Sequence, residues 1–240
     1  ARVALLLALA AGLGASILSG TRGAWVAFPA VVAVVTLGFW RTLPRRVLGI
    51  GVTALLGLLL LVSLSPTVAV TDRVGEALES VDSYDEGERG NSFGVRVEMW
   101  RTGVQLFSEK PLLGWGEGRL EARRDQWVKT WDLQPAVSKY DQLHSDLIDT
   151  AARRGLVGLG SLLMLYGVPL VLFVRALRGR PDATTRALAV AGLVVVVAFI
   201  GFGLTQSMLR DARGLAGYLG LVTACWCLLR LHERDAILNR

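Results

Sequence analysis

Six uncharged apolar stretches limit what this chain can become more than anything else in it. Residues 3–19, 24–40, 47–64, 155–174, 187–205 and 214–229 contain no Asp, Glu, Lys or Arg. Each is about as long as a helix must be to cross roughly 30 Å of hydrocarbon. In lipid the backbone has to satisfy its own hydrogen bonds, so such stretches become helices. The fold class that follows is an all-α integral membrane protein with six transmembrane helices and a large extracytoplasmic helical insert between spans three and four. Three helices fall in residues 1–65, the extracytoplasmic loop in 66–154, and three further helices with a cytoplasmic tail in 155–240. Composition agrees: with 52% hydrophobic residues, 19% charged and a mean hydropathy of +0.48, the chain is too apolar for a soluble domain of 240 residues.

The net charge of +6 suggests nucleic acid until it is divided along the chain. Residues 72–154 hold 12 Lys/Arg and 16 Asp/Glu, leaving 14 basic and 4 acidic residues elsewhere. That excess lies at helix ends: Arg2, then Arg41, Arg45 and Arg46, then Arg175, Arg178, Arg180 and Arg186, then Arg230, Arg234 and Arg240 share one side of the predicted topology. Short loops rich in Lys/Arg mark the cytoplasmic face, so both termini are read as cytoplasmic and the insert as extracytoplasmic. The opposite face has Arg22, Arg210 and Arg213 in its short turns. Trp25 and Trp40 suit the interfacial belts, where they meet membrane lipids. Nucleic acid is not an expected partner. The chain opens on Ala1 and runs directly into a span, without a signal-peptide pattern, and is read as the C-terminal part of a longer membrane protein. Cys225 and Cys227, two apart on one predicted helix, point in different directions and are read as ordinary polarizable membrane residues.

The insert opens on an acidic stretch, Asp82, Asp85, Glu86 and Glu88, without the alternation of an EF-hand loop, and is read as a solvated linker. Phe93, Val97, Trp100, Val104 and Phe107 then form a ladder in steps of three and four, predicting an amphipathic helix that lies on the membrane surface or packs on the spans. Pro111, Gly114 and Gly116 stop it in a turn close to a membrane or another backbone. Arg119, Arg123, Arg124 and Lys129, interleaved with Trp127 and Trp131, are expected at lipid headgroups. A second helix is predicted to start near Ser138, where Ser-x-x-Asp matches a capping box, with His144, Leu147, Ile148 and Ala151 on its buried face. His144 is one of two histidines, and no second histidine or cysteine accompanies it in the insert, so no metal or cofactor is expected there.

Four segments occur together in order: Ser19-Gly20-Thr21-Arg22-Gly23-Ala24-Trp25; Arg96 with Trp100; Pro111-Leu112-Leu113-Gly114-Trp115-Gly116; and His144-Ser145-Asp146-Leu147 with Arg154-Gly155-Leu156-Val157-Gly158-Leu159. In that order the chain resembles the C-terminal half of the O-antigen ligase and polymerase superfamily. The resemblance implies C-type glycosyltransferase architecture and a metal-independent, inverting transfer of glycan from undecaprenyl pyrophosphate, on the periplasmic face of the bacterial inner membrane. In the ligase branch the acceptor is a sugar hydroxyl of lipid A-core. Family members have about twice this many spans, so it also implies a missing N-terminal transmembrane half. Ser145 stands where the family's common His-Asn-Asp pattern has Asn.

The residue chemistry suits that reading. Guanidinium groups bind phosphate oxygens bidentately without a metal, which makes Arg22 and Arg96 the leading diphosphate ligands and Arg210 and Arg213, beside Asp211, secondary ones. An imidazole titrates near neutrality, so His144 suits a general base for the acceptor hydroxyl, or alternatively orients acceptor or phosphates. Without the resemblance, a snorkelling Arg22, a solvated Arg96 and a core His144 are the plainer readings. Within the superfamily the alternatives are an O-antigen polymerase or a protein O-oligosaccharyltransferase using the same donor. Outside it stands a transporter or non-catalytic membrane subunit, which the uncharged span centres disfavour as an ion-coupled carrier.

Overall fold

The computed structural model describes residues 22–42, 92–130, 135–179 and 181–238, with positions 44, 46, 49 and 53. Among the described residues there are six α-helices and no strand: α1 (Arg22–Phe39), α2 (Ser92–Glu109), α3 (Arg119–Thr130), α4 (Asp146–Leu177), α5 (Ala183–Gly203) and α6 (Ala212–Leu238). A 3₁₀ turn, Pro135–Lys139, follows α3. The first predicted span and the acidic stretch lie outside the described residues, and the third span is described only at positions 49 and 53, both helical. Helices α4, α5 and α6 are long and apolar enough to cross a membrane.

Small residues let these helices close on one another, as packing in lipid requires. Gly192 lies under the ring of Phe173, Gly38 against Val190, and Gly201 against Ala27, with no room for a Cβ at any of the three. These contacts set an antiparallel register between α1 and α5. Phe173, Leu193, Val196, Tyr218 and Leu229 form the buried core of the bundle, joined by edge contacts of Phe173 with Trp226 and Tyr166 with Tyr218. Extending each register to the helix ends places Arg41, Arg178 and Arg230 level with Arg186, whose guanidinium bonds the Gly38 carbonyl at 3.0 Å. Arg22 falls opposite Gln206, at the far end of α1, whose 18 residues span about 27 Å at 1.5 Å per residue. That length is close to the hydrocarbon thickness of a bilayer.

At the end away from the basic belt, α4 reverses at Gly155, whose φ of 61° and ψ of −155° break the helix into limbs 146–154 and 156–177. A Cβ at Gly155 would strike the Leu112 backbone, and one at Gly114 the Arg153 backbone. Between them the two segments exchange four hydrogen bonds: Leu156 N to Pro111 O (2.7 Å), Val157 N to Leu112 O (3.3 Å), Trp115 N to Ala152 O (3.0 Å) and Gly116 N to Arg153 O (2.8 Å). The Pro-Leu-Leu-Gly-Trp-Gly turn does lie against another backbone, that of the reversal. Because the limbs fold back, Asp146 reaches Tyr166, although twenty residues separate them.

Two expectations for the insert need correction. The helix expected from Ser138 begins instead at Asp146, and His144 is not helical. The reason is tertiary: the carbonyls an earlier helix would consume are taken by buried cations. Arg124 bonds the Ser138 and Tyr140 carbonyls, and Arg153 that of Asp141 at 2.6 Å. Arg124 is only 2% exposed, so the basic aromatic segment is not a headgroup site at this position, while Arg123 pairs with Glu109 beside Trp115 and Trp127.

Helix α2 forms where predicted but buries a different face. Val95, Met99 and Leu106 pack with Leu120, Trp127, Val137, Leu143 and Ala152, and Gly103 admits Ile148 and Leu143. Val97, Trp100 and Phe107 of the ladder are left half-buried, and Val104 exposed. The ladder recorded periodicity correctly, but the small residues Thr102 and Gly103 decided which face could approach another helix.

Candidate functional site

The site gathers where the turn 204–211, between α5 and α6, meets the start of α4. Four successive contacts stitch them together. His144 Nδ1 lies 2.8 Å from Gln206 Oε1, the Ser145 amide donates to Ser207 Oγ at 3.3 Å, the Leu209 amide donates to Asp146 Oδ1 at 2.9 Å, and Arg210 Nε faces Asp149 Oδ2 at 3.8 Å. Asp146 also accepts from the Tyr166 hydroxyl at 3.0 Å, and Gly203 leaves room for its carboxylate. Asp149 accepts from the Leu143 amide at 2.9 Å. Of the two carboxylates in the first turn of α4, Asp149 fixes the backbone before His144 and Asp146 ties the turn 204–211 to α4, and both suit the positive end of the helix dipole.

His144 has φ 51°, the one positive-φ non-glycine among the described residues. Left-handed backbone costs a non-glycine residue on the order of 1–3 kcal/mol and persists where surroundings over-determine it. Here the Asp149 bond to Leu143 and the Ser207 bond to Ser145 impose it from either side. The ring is buried, with Tyr140 edge-on at 5.0 Å between centroids.

The arginines divide into two groups. Arg22 starts α1 opposite Gln206, as the register shows, so its backbone is at the His144 end of the bundle. Helix α2 runs parallel to limb 146–154, since Gly103 meets Ile148 and Pro111 meets Leu156 at the same offset. Arg96 lies two turns before Gly103, near the start of α2, and is half-buried. Arg210 is engaged differently: Glu117 lies at 3.2 Å, Asp141 at 3.3 Å and Glu121 at 3.7 Å, in addition to Asp149. Arg213 is 93% exposed and pairs with Asp211 at 3.1 Å.

Behind the stitch stands Arg153, 1% exposed, bonding Asp149 (2.9 Å), Glu117 (2.8 Å) and Glu121 (2.6 Å). Burial acts to raise the Glu121 pKa, but the hydrogen bond and charge of Arg153, with backbone donors, outweigh it and hold this carboxyl below its usual range. The sequence singled out neither Arg153 nor Gln206. The available signal was a polar Thr-Gln-Ser at the end of an apolar run, and an arginine pair inside an otherwise apolar helix. Among the described residues no group of three His, Cys, Asp or Glu is placed to hold a metal ion. The arrangement presents an imidazole with one ring nitrogen engaged and basic residues on adjoining helices, suited to an anionic leaving group and a proton transfer.

The chain also resembles known proteins along most of its length. The chain is 27% identical over 207 residues to an uncharacterized protein of Haemophilus influenzae (strain ATCC 51907 / DSM 11121 / KW20 / Rd), covering 83% of this chain and 50% of that protein. It is 24% identical over 224 residues to an O-antigen ligase of Escherichia coli (strain K12), covering 92% and 50%. The chain thus spans about half the length of the curated relatives it matches. The family profile described as O-antigen ligase matches residues 6–163, a stretch that includes Arg22, Arg96 and His144, and the chain belongs to that family.

Proposed function

We propose that this chain supplies the catalytic end of an inverting, metal-independent glycosyltransferase that moves O-antigen glycan from undecaprenyl pyrophosphate to a sugar hydroxyl of lipid A-core. The observation that supports this reading is His144, held in left-handed backbone against Gln206 at the end of the bundle where α1 begins at Arg22. The acceptor oxygen attacks the anomeric carbon, the bond from that carbon to the diphosphate oxygen breaks, and the configuration inverts. His144 takes the hydroxyl proton, and Arg22 and Arg96 hold the departing diphosphate. Arg210 acts by fastening the turn beside His144 rather than by meeting phosphate, given its four carboxylate neighbours. The membrane is the bacterial inner membrane, with this end of the bundle on the periplasmic side.

The test is single-turnover transfer and donor binding by the purified full-length protein and its variants. His144→Ala is expected to lower transfer on the order of a hundredfold or more with donor affinity retained, because a base contributes chiefly in the transition state. Arg22→Ala and Arg96→Ala are expected to weaken donor binding as well, with lysine restoring only part. Excess EDTA is expected to leave transfer intact. Normal transfer by all three alanine variants would overturn the site, and a product formed on peptide or glycan repeat instead of lipid A-core would reassign the acceptor. For the sidedness, single cysteines at Ser108 and Arg178, with Cys225 and Cys227 replaced, are expected to differ towards an impermeant thiol reagent in spheroplasts, only the first reacting.

A further inference from the structure

The stitch between His144 and Gln206 bears on the chemistry of the imidazole itself. A neutral imidazole carries one proton, and its location decides which nitrogen can accept another. Oε1 of Gln206 is an acceptor with no proton of its own, and it lies 2.8 Å from Nδ1. The bond is satisfied only when Nδ1 carries the hydrogen, which leaves the lone pair on Nε2.

We propose that Gln206 is a positioning residue that selects the Nδ1–H tautomer of His144, so that Nε2 is the atom that receives the acceptor proton. The inference rests on the general-base reading above. Gln206 is well placed to act this way because its backbone is held on both sides: its amide donates to Phe202 O at 3.0 Å, and its carbonyl accepts from Met208 N at 2.9 Å. Ser207, Leu209 and Arg210 then anchor the rest of the turn to Ser145, Asp146 and Asp149. The charged and titratable groups around the pair are Asp146 and Asp149 from α4, Arg210 from the turn and Tyr140 from the preceding loop. Asp146 is occupied by Leu209 and Tyr166, and Asp149 by Leu143 and Arg153. The imidazole partner shown is therefore a neutral amide, which sets the tautomer without the pull that a carboxylate exerts on the imidazolium.

The experiment has two arms on the full-length protein. In the first, ¹⁵N-histidine labelling, with His144 assigned by its loss in His144→Ala, reads the tautomer directly. Nδ1–H is expected in the wild type and a mixture in Gln206→Leu. Nε2–H in the wild type would mean that the amide donates to Nδ1, and would overturn the proposal whatever the activity. In the second arm, Gln206→Leu is expected to lose on the order of a hundredfold in kcat with donor KM unchanged. Gln206→Glu keeps an acceptor at Nδ1, so it should recover most of that rate. Its acidic limb should move to higher pH, because a carboxylate stabilises the imidazolium. Equal losses in both variants with an unmoved limb would reduce Gln206 to a packing residue. If instead the tautomer behaves as expected while His144→Ala transfers normally, the general-base reading and the proton-accepting role of Nε2 fail together, and only the tautomer assignment stands.

Discussion

The bundle is held by apolar packing, whereas the region capping it adds buried ion pairs to an apolar core of its own. Between the spans, contacts are apolar and close: Phe173 over Gly192, Ala27 against Gly201, a core of Leu193, Val196 and Leu229. Around His144 the backbone is irregular, and what fixes it is charge and hydrogen bonds, with Arg124 and Arg153 both nearly inaccessible. Lipid offers helices no alternative partners for their backbone, so the bundle needs only shape. Beside its helices and apolar core, the cap has an irregular stretch, 140–145, whose geometry is set by how completely the buried ions around it are paired.

Removing one ion should therefore damage the cap far more than the bundle. Arg153→Met leaves the Asp149 and Glu121 carboxylates and the Asp141 carbonyl without their partner, a loss of about 3–5 kcal/mol for a buried pair broken on one side. Limited proteolysis and thermal melting are expected to show the cap opening at a lower temperature while the helical signal of the spans persists. Simultaneous loss of both would mean that cap and bundle are one cooperative unit. Gly155→Ala should cost somewhat less, about 1–3 kcal/mol, from a strained φ and collision with Leu112. A paired change in the bundle, Gly192→Ala, meets a side chain rather than backbone, so Phe173→Leu should relieve it, whereas no single partner change should rescue Gly155→Ala.

Acid sharpens the contrast further. Glu121 has a lowered folded pKa, so its contribution is complete above the ordinary glutamate range and is lost as pH falls through the depressed value. Melting of the cap measured below about pH 5 is expected to decline in wild type and to lose that dependence in Glu121→Gln, with the bundle unaffected. The smallest effect is expected for Arg213→Ala, whose exposed pair with Asp211 should leave the melting temperature unchanged. A fall in donor affinity in that variant would place Arg213 among the phosphate ligands.

The same contrast explains what the sequence made legible. Apolar runs bounded by arginine marked the apolar lengths of α4, α5 and α6, because length and composition are all a span requires, but α4 begins nine residues before its run and α6 continues nine residues past its own. The Pro-Leu-Leu-Gly-Trp-Gly turn was likewise visible, since a glycine needed for backbone contact is a local signal. The capping box at Ser138 misled, because two arginines from elsewhere in the fold claim the carbonyls an earlier helix would use. The Gln206 partnership was invisible for a related reason: it joins residues 62 apart in sequence, and nothing local to either announces the other.

One consequence follows from the turn that carries Gln206 being the direct continuation of α5. The depth of the imidazole is then gauged by a transmembrane helix, not by the insert to which His144 belongs. Adding one residue within α5 would shift its far end by about 1.5 Å and rotate it by about 100°, uncoupling Gln206 from the ring while leaving every contact inside the cap intact. Work done on the bilayer, through thickness or tilt, reaches the His144 ring by the same route.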